Sequence, residues 1–438
     1  MKKSATTDSQ KGTPFTSRRA FLKQSTTAVA GGLVASLSVA HSAHLAGSGV
    51  IRVGLVGCGG RGTGATAQVL NADRGTQLVA MSDAFADRLQ VSLKSMKQQE
   101  DISDRVLVDS DHQFIGFNGY KHVIASDVDV VLLATPPHFR PMHLRACIEA
   151  NKHVFAEKPV AVDAPGVRSV LETTELAKQK NLFIVSGLNG RYSPPLQEIV
   201  RRVQDGAIGE IVALHAARYG GGVWVRPREP GMTDMEYQMR NWYYFTWLSG
   251  DFNVEQFVHQ LDRMAWVMND QHPTRCYSTG GRQSRTGPEY GHIFDHFSSV
   301  FEYPRGVHVF TTTRHQRGCT SESQAIVMGT KGLADLNTGT ITGENPWQAP
   351  RRRRIDSHQL EQDAFLAGLR TGKVINNGDY MAKSTLMAIM TRMSAYTGQS
   401  LTWEQVFNSK QDLSPSEYTW DSRPPQAEVA VPGVTQFI

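Results

Sequence analysis

From residue 51 the chain alternates short apolar runs with stretches whose apolar positions recur every three or four residues, the pattern of a parallel sheet covered by helices. The runs at 51–56, 77–82, 128–134, 153–156 and 182–186 are predicted strands. They are nearly continuous in aliphatic residues, as strands buried on both faces must be. Segments between them, such as 141–150 and 165–178, are predicted helices. Beyond about Gly190 the texture changes. Stretches at 210–219, 294–303 and 306–314 are rich in β-branched and aromatic residues and separated by Gly, Pro and polar breaks, which predicts a mostly antiparallel sheet. Helical periodicity returns over 358–396, and the tail beyond Gln411, with four prolines, is predicted to be an irregular surface strap. The expected fold class is α/β. A doubly wound parallel sheet spans 50–187, a second α/β domain spans 188–411, and a tail covers 412–438.

Composition narrows this little but excludes several classes. With 438 residues, 40% hydrophobic and 20% charged, the chain suits two globular domains plus an extension. A formal charge of +5, part of it near the N-terminus, and the lack of a base-reading motif argue against nucleic acid as a partner. Residues 1–46 read as an address and linker. Ser17-Arg18-Arg19-Ala20-Phe21-Leu22-Lys23 is followed by a weakly apolar run over 28–40, which resembles a twin-arginine signal. The run is too short and too rich in Gly and Ser for a membrane span. Cleavage is expected near Ala40, with Ala43 and Ala46 as alternatives, and the expected location is the periplasm, reached through the twin-arginine export machinery. Cys58, Cys147, Cys276 and Cys319 are scattered, demand no disulfide framework and show no metal-ligand spacing. The arginine run 351–354 is read as a solvated turn.

The first chemical signal follows the first predicted strand. Gly57-Cys58-Gly59-Gly60-Arg61-Gly62 places Gly57, Gly59 and Gly62 at the three positions of G-x-G-x-x-G. These glycines serve the tight turn, the close approach of backbone to a pyrophosphate, and helix–strand packing. The helix N-terminus that follows favours phosphate. Asp83 closes the next strand, where a carboxylate accepts from ribose hydroxyls and repels a 2′-phosphate. The sheet is therefore expected to be a Rossmann domain that takes NAD in preference to NADP.

Further on, Ala134-Thr135-Pro136-Pro137-His138 and Ala156-Glu157-Lys158-Pro159 each follow a predicted strand. With the fingerprint and a later His-x-x-Asp helix, in this order, the sequence resembles the Gfo/Idh/MocA family over nearly all of the chain beyond the signal. The resemblance implies a Rossmann domain followed by a domain with a large open sheet, sugar or cyclitol substrates, and homodimers or homotetramers formed through that sheet. It also implies that Thr135, Pro136, Pro137, His138, Glu157 and Lys158 lie against the nucleotide, and that Lys158 is catalytic.

A second constellation is Glu255, His259 and Asp262. On one helix these fall within a stripe of about 60°. Periodicity alone fits an ordinary polar helix face equally well, and the resemblance is what assigns the histidine and its flanking acids to catalysis. The family's usual residue at the first position is Asp, and Glu255 departs from it. Trp224, Trp242, Tyr243, Tyr244, Phe245 and Trp247 form an aromatic-rich stretch suited to sugar C–H faces, and Trp242 and Tyr243 are candidate substrate contacts. Arg191 and Tyr192 match a family segment near the substrate. The leading expectation is oxidation of a carbinol of a sugar or glycoside with tightly held NAD. His259 acts as base, Glu255 or Asp262 supports it, and Lys158 stabilises the alkoxide. Two rival readings are an NAD-dependent glycosidase or lyase using transient oxidation, and a sugar-binding protein that keeps only the fold.

Overall fold

The computed structural model describes residues 49–350, 356–426 and 428–438; the arginine pair of the leader and the 351–354 run lie outside the described residues. Six parallel strands form the first sheet: β1 Ile51–Val56, β2 Thr76–Asp83, β3 Gln113–Ile115, β4 Val130–Leu133, β5 His153–Ala156 and β6 Ile184–Ser186, in the order β3-β2-β1-β4-β5-β6. Helices α1 Gly60–Ala72, α2 Ala86–Lys97, α3 Gly119–Ala125, α4 Arg140–Glu149 and α5 Ala164–Gln179 cover it. Every residue of β4 and β5 is buried, which is why both appear in the sequence as unbroken apolar runs. The strand order reverses between β1 and β4, so the loops leaving their C-terminal ends diverge and open a crevice there. The predicted strands hold to within two residues at either end. Only β3, three residues long and partly exposed, escapes the pattern.

After α6 (Pro194–Gln204) and β7 (Ile211–Gly220) come four short helices: α7 Asp234–Arg240, α8 Thr246–Ser249, α9 Phe252–Glu255 and α10 Val258–Val267. Strands β8 Arg275–Gly281, β9 His296–Glu302, β10 His308–His315, β11 Glu322–Gly329, β12 Gly332–Asp335, β13 Thr340–Gly343, β14 Trp347–Gln348 and β15 Leu401–Thr402 complete a nine-stranded sheet with β7. Of its pairings only β7 with β10 is parallel. Along β10, Val309, Thr311 and Thr313 are buried beneath helices while Phe310 is 43% exposed. Val212, Tyr277 and Leu333 share that exposure on the neighbouring strands, so one face of the sheet lies open.

The segment from Ser357 onward departs from the expected domain boundary. Helix α11 (Ser357–Thr371) folds back onto the first sheet, where Phe365, Leu366 and Leu369 join the core of Val53, Leu78 and Phe155. Helix α12 (Gly378–Thr397) is buried along nearly its whole length between α5, α10 and β8, and α13 (Trp403–Phe407) follows. The tail beyond Gln411 is the irregular strap the prolines predict. Leu413 N–H donates to Asp163 at 3.0 Å, and the Trp420 ring lies 5.1 Å from Phe85 and 4.6 Å from Phe117. Among the described residues no helix is long and apolar enough to cross a membrane.

Candidate active site

The glycine loop follows β1 into the crevice. Gly57 has φ +100°, and a side chain there would collide with the backbone of Ala134 and Thr135; one on Gly62 would collide with the Gly57 carbonyl. Gly59 and Gly60 instead face open space, as residues must where a pyrophosphate approaches the backbone. They line a cleft of about 570 Å³ together with Arg61, Asp83, Thr135 and Pro136. Asp83 accepts from Cys58 N–H at 2.7 Å and Phe85 N–H at 2.9 Å, and burial raises its pKa against the pull of those N–H groups and Arg88. The fit to a dinucleotide is thus carried by the cradle itself: open glycine backbone, the N-terminus of α1, and a ribose-reading carboxylate. Phe85, Phe117 and Phe139 wall the same cleft, and Trp224, Arg226 and Trp242 reach it from the second domain.

Several of the expected nucleotide contacts fall outside the cleft lining, Gly62, Glu157 and Lys158 among them. The Cys58 thiol is buried and points to the Ser82 carbonyl at 3.3 Å, so this residue meets the loop only through backbone. Pro137 and His138 are buried outside the cleft lining. His138 Nε2 is 2.8 Å from the Tyr418 hydroxyl of the strap, and its ring meets Trp247 edge-on at 5.0 Å.

The turn after β4 and the turn after β5 are fastened to each other by Arg140. This arginine is 1% exposed; it donates to the Thr135 carbonyl (2.6 Å), the Thr135 hydroxyl (3.1 Å) and the Glu157 carbonyl (2.8 Å). Lys158 is thereby held at the C-terminal end of the sheet, and its peptide bond to Pro159 is cis. Its Nζ donates to Glu255 Oε1 and to the Glu255 carbonyl, both at 2.9 Å. The longer side chain at position 255 therefore pairs with the lysine rather than with the histidine.

His259 lies four residues further on, but not on the same helix. The chain is jointed at Gln256 and Phe257 between α9 and α10, so the single amphipathic stripe does not form as drawn from an ideal helix. The His259 ring makes no hydrogen bond among the described residues. Burial, together with the charges of Lys158, Arg263, Arg218 and His358, holds its pKa well below the usual histidine range. It is therefore neutral and has a free lone pair. Asp262 does not support it. That carboxylate is buried, bound twice by Arg191 (2.8 and 3.1 Å) and once by the Ser384 hydroxyl (2.9 Å).

Arg191 and Tyr192 are likewise corrected from substrate contacts to framework. Arg191 is spent on Asp262 and Asp270 and lies 3.8 Å from the Tyr380 ring, while the Tyr192 hydroxyl donates to Asn377 at 2.9 Å. Of the aromatic stretch, Trp242 reaches the nucleotide cleft, Tyr243 is buried with its hydroxyl unpartnered, and Trp247 is core.

Sequence reasoning missed Glu361, a second acid at the Arg61–Glu157 pair. Arg61 leaves the glycine loop to bind Glu157 Oε1 at 2.5 Å and approaches Glu361 of α11 at 3.7 Å, and His358 Nδ1 is 3.2 Å from the same Glu361 oxygen. Burial, then the charge of Glu157, keeps the Glu361 pKa well above the usual carboxylate range. The helical periodicity over 358–396 marks the element but says nothing about what it meets.

A doubly wound sheet with a glycine cradle, a ribose carboxylate and a lysine at the strand ends defines a dinucleotide-dependent oxidoreductase. The chain belongs to the GFO/IDH/MocA oxidoreductases: residues 51–187 match the family's NAD-binding Rossmann fold and residues 196–335 its C-terminal domain. It is 26% identical over 337 residues to inositol 2-dehydrogenase of Salmonella typhimurium, covering 74% of this chain and 87% of that one. Among solved structures it shares the fold of aldose-aldose oxidoreductase from Caulobacter crescentus complexed with glycerol (TM-score 0.62, 16% identity, 81% of this chain and 99% of that one). The fold also matches a levoglucosan dehydrogenase in complex with NADH and levoglucosan (TM-score 0.62, 16% identity, 80% and 99%).

Proposed function

We propose that this oxidoreductase oxidises a carbinol carbon of a sugar, cyclitol or glycoside and that NAD stays bound between turnovers. One observation carries the reading. The Lys158 ammonium, held at the strand ends by Glu255, lies near a neutral histidine that has no hydrogen-bond partner among the described residues. Bound NAD supplies the hydride acceptor. His259 takes the hydroxyl proton on its free ring nitrogen as the C–H hydride leaves the same carbinol. Lys158 donates to the oxygen as negative charge gathers there, and Glu255 keeps the ammonium aimed. Arg140 fixes the distance between the nucleotide turn and the lysine turn, so the reacting groups are placed before substrate arrives. Inositol and sugar dehydrogenases among the relatives support this substrate class.

The reading extends to location and assembly. The Arg18-Arg19 leader fits folded export to the periplasm, where free NAD is not expected, so the nucleotide would be loaded beforehand and kept. The open sheet face with Phe310, Val212 and Leu333 suits a homodimer or homotetramer. The test is a panel of cyclitols, aldoses and aryl glycosides offered to protein purified from the periplasmic fraction. Reduction of bound NAD by a polyol or sugar is expected. Aglycone release without net NADH would replace the reading with redox-neutral glycoside cleavage, and silence towards every substrate would reject both.

A further inference from the structure

Beside Glu255 and Gln256 lies a group of buried polar atoms that hydride transfer does not use. Arg285, in the loop between β8 and β9, is 5% exposed, and neither Nη1 nor Nη2 has a hydrogen-bond partner among the described residues. Its guanidinium packs near the rings of Tyr244 (5.6 Å) and Phe252 (5.7 Å) and against Gly222, where any side chain would collide with it. On Phe252 stacks the His315 ring, 4.4 Å away and 4% exposed. His315 Nε2 is 2.7 Å from Gln256 Oε1, and its Nδ1 has no partner. Next to that ring, at 6.3 Å, is Tyr243, 2% exposed with its hydroxyl unpartnered.

A guanidinium buried without counter-charge is costly, and the carboxylates around this one are already committed. Asp295 receives three backbone N–H groups, Arg285's own among them, and also faces His296 and Gln316. Asp251 receives the Tyr396 hydroxyl and the N–H groups of Phe294 and Asn253. Glu255 is held by Lys158. Among the described residues no uncommitted carboxylate is left to pair with Arg285.

We infer that Arg285, Tyr243 and His315 form an anion-reading subsite, and that the substrate is a sugar or cyclitol bearing a carboxylate or phosphate with a hydroxyl near it. This rests on the oxidoreductase reading above and adds the charge of the substrate. The two free guanidinium nitrogens present parallel N–H donors to two oxygens of the anion. Tyr243 adds a hydroxyl donor. His315, kept neutral by burial and by Arg285 and Arg218, spends its Nε2–H on Gln256 and offers Nδ1 as an acceptor for the substrate hydroxyl. A neutral sugar would leave the guanidinium without a partner, so discrimination is expected to be strong.

Calorimetric titration of the NAD-loaded protein tests this with matched probes: glucose, glucuronate and glucose 6-phosphate, then galactose and galacturonate. At least one anionic probe is expected to bind about tenfold or more tightly than its neutral counterpart, and comparison of glucuronate with glucose 6-phosphate separates carboxylate from phosphate. Arg285→Met should abolish that advantage while leaving NAD content and neutral-sugar affinity within about threefold, and Arg285→Lys should keep part of it. Equal affinity for acid and neutral sugar, no binding by any acid of the set, or an Arg285→Met protein that keeps the preference overturns the subsite. If the methionine variant does not fold, the native comparison decides alone. Turnover is read separately: an acid that binds tightly without reducing NAD keeps the subsite and counts against oxidation of an anionic sugar, while the family stands on its own evidence.

Discussion

Lys158 and His259 divide the chemistry between charge and proton, and each can be removed without touching the nucleotide cradle. Lys158→Ala and His259→Ala are expected to lower turnover by about 10² or more at unchanged NAD content, the scale of a lost charge-stabilising or acid–base group. Near-normal turnover in either would end its catalytic role. The same histidine sets a pH signature. Because burial and neighbouring cations depress its pKa, the neutral base persists below the ordinary histidine value of about 6.5, so kcat/KM for oxidation should stay level from pH 8 to 6 and fall only in more acid solution. A half-point at 6.5 would show an unperturbed histidine instead. At the other end of the cleft, Asp83 stands with Arg88 nearby. Asp83→Ser should raise the NADP to NAD preference ratio by about tenfold or more, measured as relative nucleotide affinity.

At the scale of elements, Arg191 shows what polar pairing does for the site. It ties the turn after β6 to α10 through Asp262. Arg191→Met is expected to cost about 3–5 kcal/mol, as for a buried pair broken on one side. A denaturant midpoint unchanged from the native protein would contradict that. The elements themselves were largely legible in the sequence. β4 and β5 are fully buried, so their residues had to be apolar, and Gly57 and Gly62 had to be glycine for steric reasons that the motif already encodes. What could not be read was partnership. Nothing in the Glu255–Asp262 spacing says that a joint at Gln256 separates the two acids, or that one binds a lysine 97 residues away and the other an arginine 71 residues away. Nor does the sequence show that α11 returns to the first core and brings Glu361 under Glu157. Those pairings depend on tertiary packing, to which local periodicity is blind.

The whole molecule carries several histidines buried in neutral form. Burial, with Asp412 pulling the other way, takes His138 down to about 4; burial and Arg282 take His292 to about 4, and burial and Arg285 take His315 to about 3. In the unfolded chain these residues titrate near 6.5, so their contribution is complete above that pH and is lost as the solution is acidified below it. The cost is on the order of 1 kcal/mol per histidine for each pH unit. The melting temperature should therefore drop steadily between pH 6.5 and 4.5, and a flat profile would show that these rings are not held neutral. Truncation after Gln411 probes the strap. Without Trp420 packed against Phe85 and Phe117, NAD should leave at least about tenfold faster on dialysis, and unchanged retention would separate the strap from nucleotide binding.

That arrangement also bears on the order of events during synthesis. The glycine cradle is among the first parts of the fold to be translated, yet the aromatic wall facing it is backed by residues from the last part. A nascent chain from which Trp420 has not yet emerged has the cradle without its backing. Durable capture of the nucleotide is therefore expected only once Trp420 has joined the wall, and nucleotide content then reports docking of the strap.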